Sequence, residues 1–521
     1  MNLFAMTAVN DTAPSFDQLF AYRIPEELKE FCVPGARVTV PFGRSNAVRT
    51  GIIMSVSDSY SGEAKSILDV ERPEQRVIDG EMIDLINFLK DRTFCTYSDA
   101  VRTVLPKNIR AVARGGALDI QSKAHLMTVL SRNPEYAGKV TKRQGEILEV
   151  LGSRSMTASL LCSASGASRE TVSRMVREGI LTESEETRGQ DLFRGEGSGD
   201  LEEDLTEAQK KAFSEIEGYF SSGKRTVLLR GITSSGKTLI YVKLIEKAVA
   251  QGKGVIFMVP EIALSNQTIM RLRKVFGRNV AIINSSLSDT ERTLEWEKIR
   301  SGECPVVIGT RSAVFSPVKN LGLIIMDEEQ EQTYCSEQNP RYYAAEIAQY
   351  RARKSGAFLL LASATPLIEH YYLGKTGRIG LVELTERYNS MPLPKVGIID
   401  MRRELTEGNQ TCISAYLMDA IKDRLAKKQQ TLLLLNRRGY HTISVCTNCR
   451  TVLKCPNCDT PLVWHKTEEK YICHYCGYRT GADTACPECG GALRQQGFGT
   501  EKIEETVSAM FPGARVTRLD L

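Results

Sequence analysis

The stretch that most limits what this chain can become is Gly231-Ile232-Thr233-Ser234-Ser235-Gly236-Lys237-Thr238. An apolar run, Thr226-Val227-Leu228-Leu229, leads into it, and a helical pattern, Leu239-Ile240-Tyr241-Val242-Lys243-Leu244-Ile245, leads out. Strand, glycine-bounded loop, Lys-Thr and helix in that order predict a phosphate loop. Its backbone N–H groups and the helix N-terminus would cradle the β-phosphate of ATP. Lys237 would reach the β- and γ-phosphates, and the Thr238 hydroxyl would ligate Mg2+.

Downstream, apolar runs at Val255–Val259, Val280–Ile283, Val306–Ile308, Leu323–Met326 and Phe358–Leu361 alternate with helical segments. Runs apolar on both faces predict a parallel sheet covered on both sides, with ligands at its carboxyl edge. Asp327 ends one such strand, where a carboxylate is costly unless a cation faces it. It is the expected partner of the Lys237/Thr238 magnesium site, and Glu328 beside it would activate the attacking water. Ser363-Ala364-Thr365-Pro366 would couple phosphate loss to movement, while Pro260-Glu261-Ile262 and Gly309-Thr310-Arg311-Ser312 would line a single-strand track. Tyr334 and Arg341-Tyr342-Tyr343 suit either base stacking or core packing. Thr206 would cap the helix ahead of the loop. Gln209 on it would read an adenine edge, a plain surface glutamine being the simpler reading.

A chain of 521 residues exceeds one core and predicts roughly three to five domains. The net charge of +5 is too small to argue nucleic-acid binding by itself. No stretch approaches the roughly 20 apolar residues of a membrane span, so the expectation is a cytoplasmic protein. Residues 1–110 read as a small strand-rich unit with Arg37, Arg44 and Arg49 placed for a phosphate backbone or for a solvated surface. Segments Gln144–Leu151, Met156–Cys162 and Ser168–Glu178, followed by Ile180-Leu181, follow the order of a winged helix. Ser168 would cap the third helix, which carries Arg169, Arg174 and Arg177. From Thr182 to Asp204 an acidic, glycine-rich composition predicts a linker.

Eight of the fourteen cysteines fall in four Cys-x2-Cys pairs: Cys446/Cys449, Cys455/Cys458, Cys473/Cys476 and Cys486/Cys489. Eight thiolates make two tetrahedral sites, and zinc fits the knuckle spacing better than an iron–sulfur cluster. Spacing alone leaves the pairing interleaved or nested. The hairpin-like Leu462-Val463-Trp464 and Tyr471-Ile472 favour nesting, with Cys455, Cys458, Cys473 and Cys476 inside. His441, His465 and His474 are then not needed as ligands, and the sites are structural.

Together these residues resemble the PriA family of bacterial replication-restart helicases, also called primosomal protein N′. The marks are Val40-Pro41-Phe42-Gly43, the phosphate loop, Val259-Pro260-Glu261-Ile262, Ile308-Gly309-Thr310-Arg311-Ser312-Ala313, Met326-Asp327-Glu328-Glu329 and Ser363-Ala364-Thr365-Pro366. Asn436-Arg437-Arg438-Gly439-Tyr440 ahead of the cysteines and Gly497-Phe498-Gly499-Thr500-Glu501-Lys502-Ile503-Glu504 after them complete the set.

The resemblance implies a superfamily 2, 3′-to-5′ DNA helicase that recognises stalled forks and starts primosome assembly. Expected partners are forked and single-stranded DNA, primosome proteins and the single-stranded DNA-binding protein. It implies a nucleoid-associated monomer using ATP, Mg2+ and two Zn2+, with nested zinc pairing and a nascent 3′ end bound near Phe20-Ala21-Tyr22. The expected fold is multidomain: a β-rich 3′-end-binding domain (1–110), a winged helix (111–181) and a linker (182–204). An α/β RecA-like P-loop helicase core follows, with lobe 1 at 205–385 and an incomplete lobe 2 at 386–521 that holds a two-zinc insertion (441–494).

The chain departs from the family at Asn284-Ser285-Ser286-Leu287, where His-Ser-Gly-Leu is usual, and at Gln330, where His follows the acids. Ser234 stands for a glycine, and Tyr334-Cys335-Ser336 for Tyr-Lys-Gln. These soften the coupling residues and leave Lys237, Thr238, Asp327 and Glu328 intact. The sequence ends at Val516-Thr517-Arg518-Leu519-Asp520-Leu521, ahead of the family's glycine-rich and arginine-finger motifs. The expectation is a fragment, interrupted gene or split protein that alone binds ATP weakly and hydrolyses it poorly. The alternative is a fork-DNA and protein-binding scaffold with a relict ATP site. A restriction-type translocase would share the motor but leaves the two zinc sites unaccounted for.

Overall fold

The computed structural model describes residues 3–109, 112–114, 117–119, 127–136, 138–152, 155–186, 204–260, 275–388, 392, 394–406, 408–409, 411–435, 442–449, 451–465, 468–481, 485–496 and 500–518. The chain divides into two units, Met1–Pro392 and Leu393–Leu521. Among the described residues no helix is long and apolar enough to cross a membrane.

In the first unit, β1 (Phe4–Val9), β2 (Leu19–Arg23), β3 (Arg37–Phe42), β4 (Ala47–Ser57), β5 (Lys65–Ser66) and β6 (Asp69–Val70) form one sheet, ordered β5-β2-β1-β4-β3-β6. β3 and β4 are the two strands expected from the sequence, with Val40 opposite Arg49. Ala5, Val38, Val40, Ile53 and Val70 are buried together, and that apolar set fixes the register.

Arg37 does not meet a phosphate backbone. Its side chain is 3% exposed, and its Nε donates to Oε2 of the fully buried Glu71 at 2.6 Å. Its other N–H groups donate to the carbonyls of Gln75 and Ile109. Burial pushes the Glu71 carboxyl up, and the guanidinium pulls it back. Neither charge could stay in this dry site without the other. Arg44 is exposed, whereas Arg49 lies 4.9 Å over the Phe42 ring and donates to the carbonyl of Asn10 at 3.3 Å.

The strand-rich character of the N-terminal region ends near Val70. α1 (Gly80–Thr93) is capped by the Asp79 side chain, and α2 (Tyr97–Val104) by a Thr96/Asp99 capping box. Both turn apolar faces onto the α/β core, where Phe88 stacks on Tyr350 with ring centroids 4.0 Å apart. Arg351, 1% exposed, donates to Glu81 at 2.7 Å and to the carbonyls of Val314 and Ser316 at 2.6 and 2.9 Å.

Beyond the short pair β7 (Val112–Arg114) and β8 (Ala117–Asp119), β9 (Met127–Arg132) precedes α3 (Lys142–Leu151), α4 (Ala158–Ser165) and α5 (Arg169–Arg177). They pack around Leu130, Ile147, Leu161 and Met175, and Ser168 caps α5 as expected. The acidic stretch read as linker from Thr182 instead begins inside a strand. β10 (Leu181–Glu186) pairs antiparallel with β9. Buried Leu181 and the 2.9 Å contact between the Thr182 and Ser131 hydroxyls anchor it. Glu183 is exposed to solvent, so the acidic composition does not oppose the pairing. Residues 187–203 of the expected linker lie outside the described residues.

The α/β core comprises α6 (Glu207–Ser221), β11 (Thr226–Gly231), α7 (Lys237–Ala250), β12 (Gly254–Met258), β13 (Val280–Ile283), α8 (Asp289–Ser301), β14 (Val306–Gly309), β15 (Leu321–Met326), α9 (Ala344–Ser355), β16 (Phe358–Ser363), α10 (Ile368–Lys375) and β17 (Gly380–Leu384). Its strands pair in parallel in the order β13-β14-β12-β15-β16-β11-β17. Alternate residues enter opposite cores: Leu228, Ile256, Ile324 and Leu361 one, Leu229, Val255, Ile325 and Leu360 the other. The two-sided burial expected of these runs is what forms.

In the second unit, α11 (Met401–Thr406) precedes α12 (Ala415–Ala426). The cysteine region then carries β18 (Thr442–Cys446), β19 (Val463–His465), β20 (Lys470–Ile472), β21 (Arg479–Gly481) and β22 (Leu493–Gln496), and α13 (Thr500–Met510) follows. The sheet order is β21-β20-β19-β18-β22. Ile413, Ile421, Ile503, Val507 and Phe511 form a separate small core. Leu433 and Leu435 lean on it, while Leu432 and Leu434 are 85% and 88% exposed.

Candidate nucleotide site and metal centres

β11 delivers Gly231 to the carboxyl edge of the sheet, and α7 starts at Lys237. Gly236 occupies the N-cap with φ +76° and offers no side-chain cap; the Leu239 N–H donates to its carbonyl at 3.2 Å, and the Lys237 and Thr238 N–H groups ahead of it have no intrahelical acceptor. The loop fits tightly around itself. A Cβ on Gly231 would come within 2.9 Å of the Lys237 side chain, and one on Gly236 within 2.3 Å of Gln209 Nε2. Ser235 is 2% exposed, and its buried hydroxyl has no hydrogen-bond partner. Ser234, at the position where the family resemblance leads one to expect glycine, sits at φ +64°. Lys237 Nζ donates to the Gly231 carbonyl at 2.9 Å and lies 3.9 Å from Glu328 Oε1.

Gln209 reaches the loop, but not with a free amide. Its Oε1 accepts from the Thr206 N–H at 2.9 Å in a capping box, and its Nε2 donates to the carbonyls of Ser235 and Gly236, both at 3.2 Å. Contact with an adenine edge requires exchange of those bonds.

Across the loop, Asp327 extends β15 and donates its N–H to the Met258 carbonyl at 3.0 Å. Its Oδ1 accepts from the Tyr241 hydroxyl at 2.8 Å and from the Glu328 N–H at 3.0 Å. Burial pushes the Asp327 carboxyl above the usual range, and the Glu328 charge adds to this. The Tyr241 bond and the Lys237 cation oppose it. Burial likewise raises Tyr241, with the Asp327 charge assisting. Glu328 has φ +45°, a left-handed backbone unfavourable for a side chain of this kind. Gln330 Nε2 donates to Glu328 Oε2 at 3.0 Å, the Ser363 hydroxyl donates to Gln330 Oε1 at 2.5 Å, and the Thr365 N–H donates to Ser363 Oγ at 2.8 Å. Gln330 therefore still bridges the acids to the Ser363-Ala364-Thr365 loop through its two-ended amide.

The aromatic segment is core. Tyr334 is 1% exposed, with its hydroxyl on the Asp327 carbonyl at 2.8 Å. Tyr342 is buried edge-on against Phe315 at 5.1 Å. The Tyr343 hydroxyl donates to the Glu329 carbonyl at 3.1 Å. The two buried rings offer no face to a base. Arg311 is spent on the carbonyls of Thr333 and Cys335. In the N-terminal sheet, Phe20 meets Phe42 edge-on at 5.1 Å, and buried Tyr22 donates to the Pro41 carbonyl at 3.3 Å. Burial pushes the Tyr22 hydroxyl up to about 12. Arg169, Arg174 and Arg177 are exposed on α5. Glu261-Ile262, Asn436–Tyr440, His441 and Gly497–Gly499 lie outside the described residues.

Two residues that no motif named belong to this site. Tyr241 follows Lys237 by one helical turn, and a hydroxyl one turn past the loop lysine was the available signal. His370 contacts Glu329 across elements, and nothing in the local sequence indicated it.

The thiols cluster as nested quartets: Cys446, Cys449, Cys486 and Cys489, and Cys455, Cys458, Cys473 and Cys476, each with its sulfurs within 4.8 Å of one another. Contacts of 3.4 Å (Cys446/Cys489), 3.5 Å (Cys449/Cys486) and 3.6 Å (Cys455/Cys476) approach the ~3.8 Å edge of a tetrahedron with ~2.3 Å zinc–sulfur bonds. The knuckles repeat one turn. Asp459, Gly477 and Gly490 take left-handed φ after the second cysteine, and each N–H donates at 2.9 Å to the carbonyl of the first. The β19/β20 hairpin, with Trp464 opposite Tyr471, joins the inner pairs. β18 and β22 join the outer pairs, with Cys446 opposite Leu493. His465 and His474 face one another at 3.1 Å and belong to neither quartet.

Comparison with known proteins matches a DEAD/DEAH box helicase model at residues 206–371 and a 3'DNA-binding domain (3'BD) model at 8–106. A PriA DNA helicase Cys-rich region (CRR) domain model matches 455–480. "Replication restart protein PriA" of Bacillus subtilis (strain 168) is 33% identical over 99% of this chain and 72% of its own length. The protein of that name from Chlamydia trachomatis is 32% identical over 99% of this chain and 70% of its own. The one from Rickettsia felis is 40% identical over 60% of this chain and 48% of its own.

Proposed function

The chain belongs to the PriA family of replication restart proteins, and on that premise we propose that it is an ATP-dependent 3′-to-5′ DNA helicase. It acts at stalled forks and initiates primosome assembly. The observation that carries this reading is the convergence of Lys237, Asp327 and Glu328 beside an uncapped helix N-terminus, with Lys237 3.9 Å from Glu328. The orphaned Ser235 hydroxyl in the loop suits a phosphate. The raised Asp327 carboxyl suits a cation beside it.

ATP with Mg2+ would be held by Gly231–Thr238, Thr238 and Asp327, and would supply the phosphoryl group with its charge partly neutralised. Lys237 leaves the Gly231 carbonyl to meet phosphate oxygens. Glu328 accepts the proton of the attacking water. Gln330 and Ser363 report the change towards α10. Gln209 exchanges the Ser235 and Gly236 carbonyls for the base.

We read residues 1–110 as binding a 3′ DNA end, and the β9–β10 module as a winged helix whose Arg169, Arg174 and Arg177 meet phosphates. With every coordination position filled by thiolate, the two zinc sites are structural and present a surface to primosome proteins. Single-stranded DNA-binding protein is a further partner, and the working form is a cytoplasmic, nucleoid-associated monomer.

The test is DNA-stimulated ATP hydrolysis on a fork with a nascent 3′ end. Lys237→Ala and Glu328→Gln are each expected to lower kcat by about 100-fold or more. DNA binding should persist. The scaffold reading draws on the engaged Gln209 amide and on Ser234 at φ +64°. Fork binding with no hydrolysis by the unaltered chain would replace the helicase reading with it.

A further inference from the structure

Glu329 and His370 stand outside the roles assigned above. The Glu329 side chain is fully buried, and a carboxylate in that position is tolerable only when its oxygens are matched. They are. Oε1 accepts from the Leu367 N–H at 2.8 Å, where the chain enters α10, and Oε2 lies 2.7 Å from His370 Nδ1 in the first turn of that helix. The Glu329 backbone is held as firmly: its N–H donates to the Ala362 carbonyl at 3.1 Å, and its carbonyl accepts from Tyr343.

Asp327, on the other side of Glu328, is fixed by Met258, Tyr241 and Tyr334. Glu328 is thus suspended between two anchored residues, with φ +45°. Left-handed backbone at such a residue persists only where its surroundings over-determine it.

We propose that Glu329 and His370 are positioning residues: they lock the start of α10 to the acidic strand end and so hold Glu328 in the strained conformation that aims its carboxylate at the Lys237 side of the site. The proposal rests on the ATP-hydrolysing reading. His370 touches neither nucleotide nor water in it. Its Nδ1 supplies the second partner that lets Glu329 remain buried, and α10 then moves only together with residue 328.

The test uses the full chain with His370→Ala and His370→Asn, the latter placing an amide N–H near the Nδ1 position. His370→Ala is expected to lower DNA-stimulated kcat by about tenfold, with KM for ATP within about twofold. His370→Asn should recover most of the loss. Hydrogen exchange of the Glu329 and Leu367 amides, read in the same variants without nucleotide, should quicken in His370→Ala and return towards the parent in His370→Asn. Unchanged kcat and exchange in His370→Ala would overturn the proposal, as would a loss that His370→Asn fails to recover. If the unaltered chain and Lys237→Ala are equally inactive, the hydrolytic reading falls. The exchange result then decides whether the lock itself exists.

Discussion

The Gly231–Thr238 loop rests on a seven-stranded sheet between two apolar clusters, whereas the apolar cluster of the cysteine module holds, among the described residues, five buried members, two of them cysteines. The first region can spend burial energy on awkward local geometry, and it holds Ser234 and Glu328 at positive φ. The second has little apolar surface to bury, and its knuckle turns place left-handed φ at Gly477, Gly490 and Asp459, residue types that accept it, while Glu469 ahead of β20 also stands at φ +50°. A large core permits strain where chemistry occurs. A small one leaves cohesion to the metal.

Metal removal should expose this difference most strongly. Structural zinc contributes about 10–16 kcal/mol of apparent binding that is at once folding energy. A strong chelator is expected to make residues 442–496 rapidly exchanging and protease-sensitive, and to leave melting of the Met1–Pro392 unit nearly unchanged. Elemental analysis should give two zinc ions per chain, falling to about one in Cys455→Ser. A chain that stays protected at 442–496 after metal loss would break the comparison.

The reciprocal change is Ile325→Ala on β15, fully buried beside the acids. It should cost about 2–5 kcal/mol in the first unit by opening a cavity. Zinc content should remain at two, since the thiols do not draw on that core.

How far the sequence disclosed each region follows from the range of the forces involved. Two-sided burial of runs such as Leu323–Met326 is written in consecutive residues, and so is Cys-x2-Cys spacing. Both could be read directly. Arg37 could not, because its partner Glu71 lies 34 positions away and only folding supplies it. The same holds for Arg351 with Glu81, and for His370 with Glu329. Tyr334 and Tyr342 stayed open between two readings for another reason: an aromatic beside arginine has the same composition whether it stacks on a base or fills a core. Thr182–Glu186 shows that acidic composition predicts exposure, not the absence of a strand.

Within the nucleotide region, Asp327→Asn separates function from stability. A carboxyl raised by burial is less costly protonated than ionised, so its penalty on folding is absent at low pH and develops as pH rises through the folded-state value. Asp327→Asn should therefore raise the melting temperature of the nucleotide-free chain at neutral pH. The gain should shrink as pH falls towards the ordinary aspartate range, and Mg2+-dependent nucleotide affinity should drop throughout. A stability gain independent of pH would mean that the carboxyl is not the strained group.

The smallest effect concerns Ser234. At φ +64° a side chain costs roughly 1 kcal/mol, and glycine relieves it. Glycine also enlarges the unfolded ensemble, which returns roughly half of that. Ser234→Gly should thus stabilise the first unit by about 0.5 kcal/mol, leave zinc content alone, and change KM for ATP by no more than about threefold. The sign matters more than the size. A gain would mean that the loop carries strain its core can bear. A loss greater than about 1 kcal/mol would mean that the Ser234 hydroxyl itself holds the loop, which would place the region closer to the metal module, where local bonds, not the surrounding core, set the geometry.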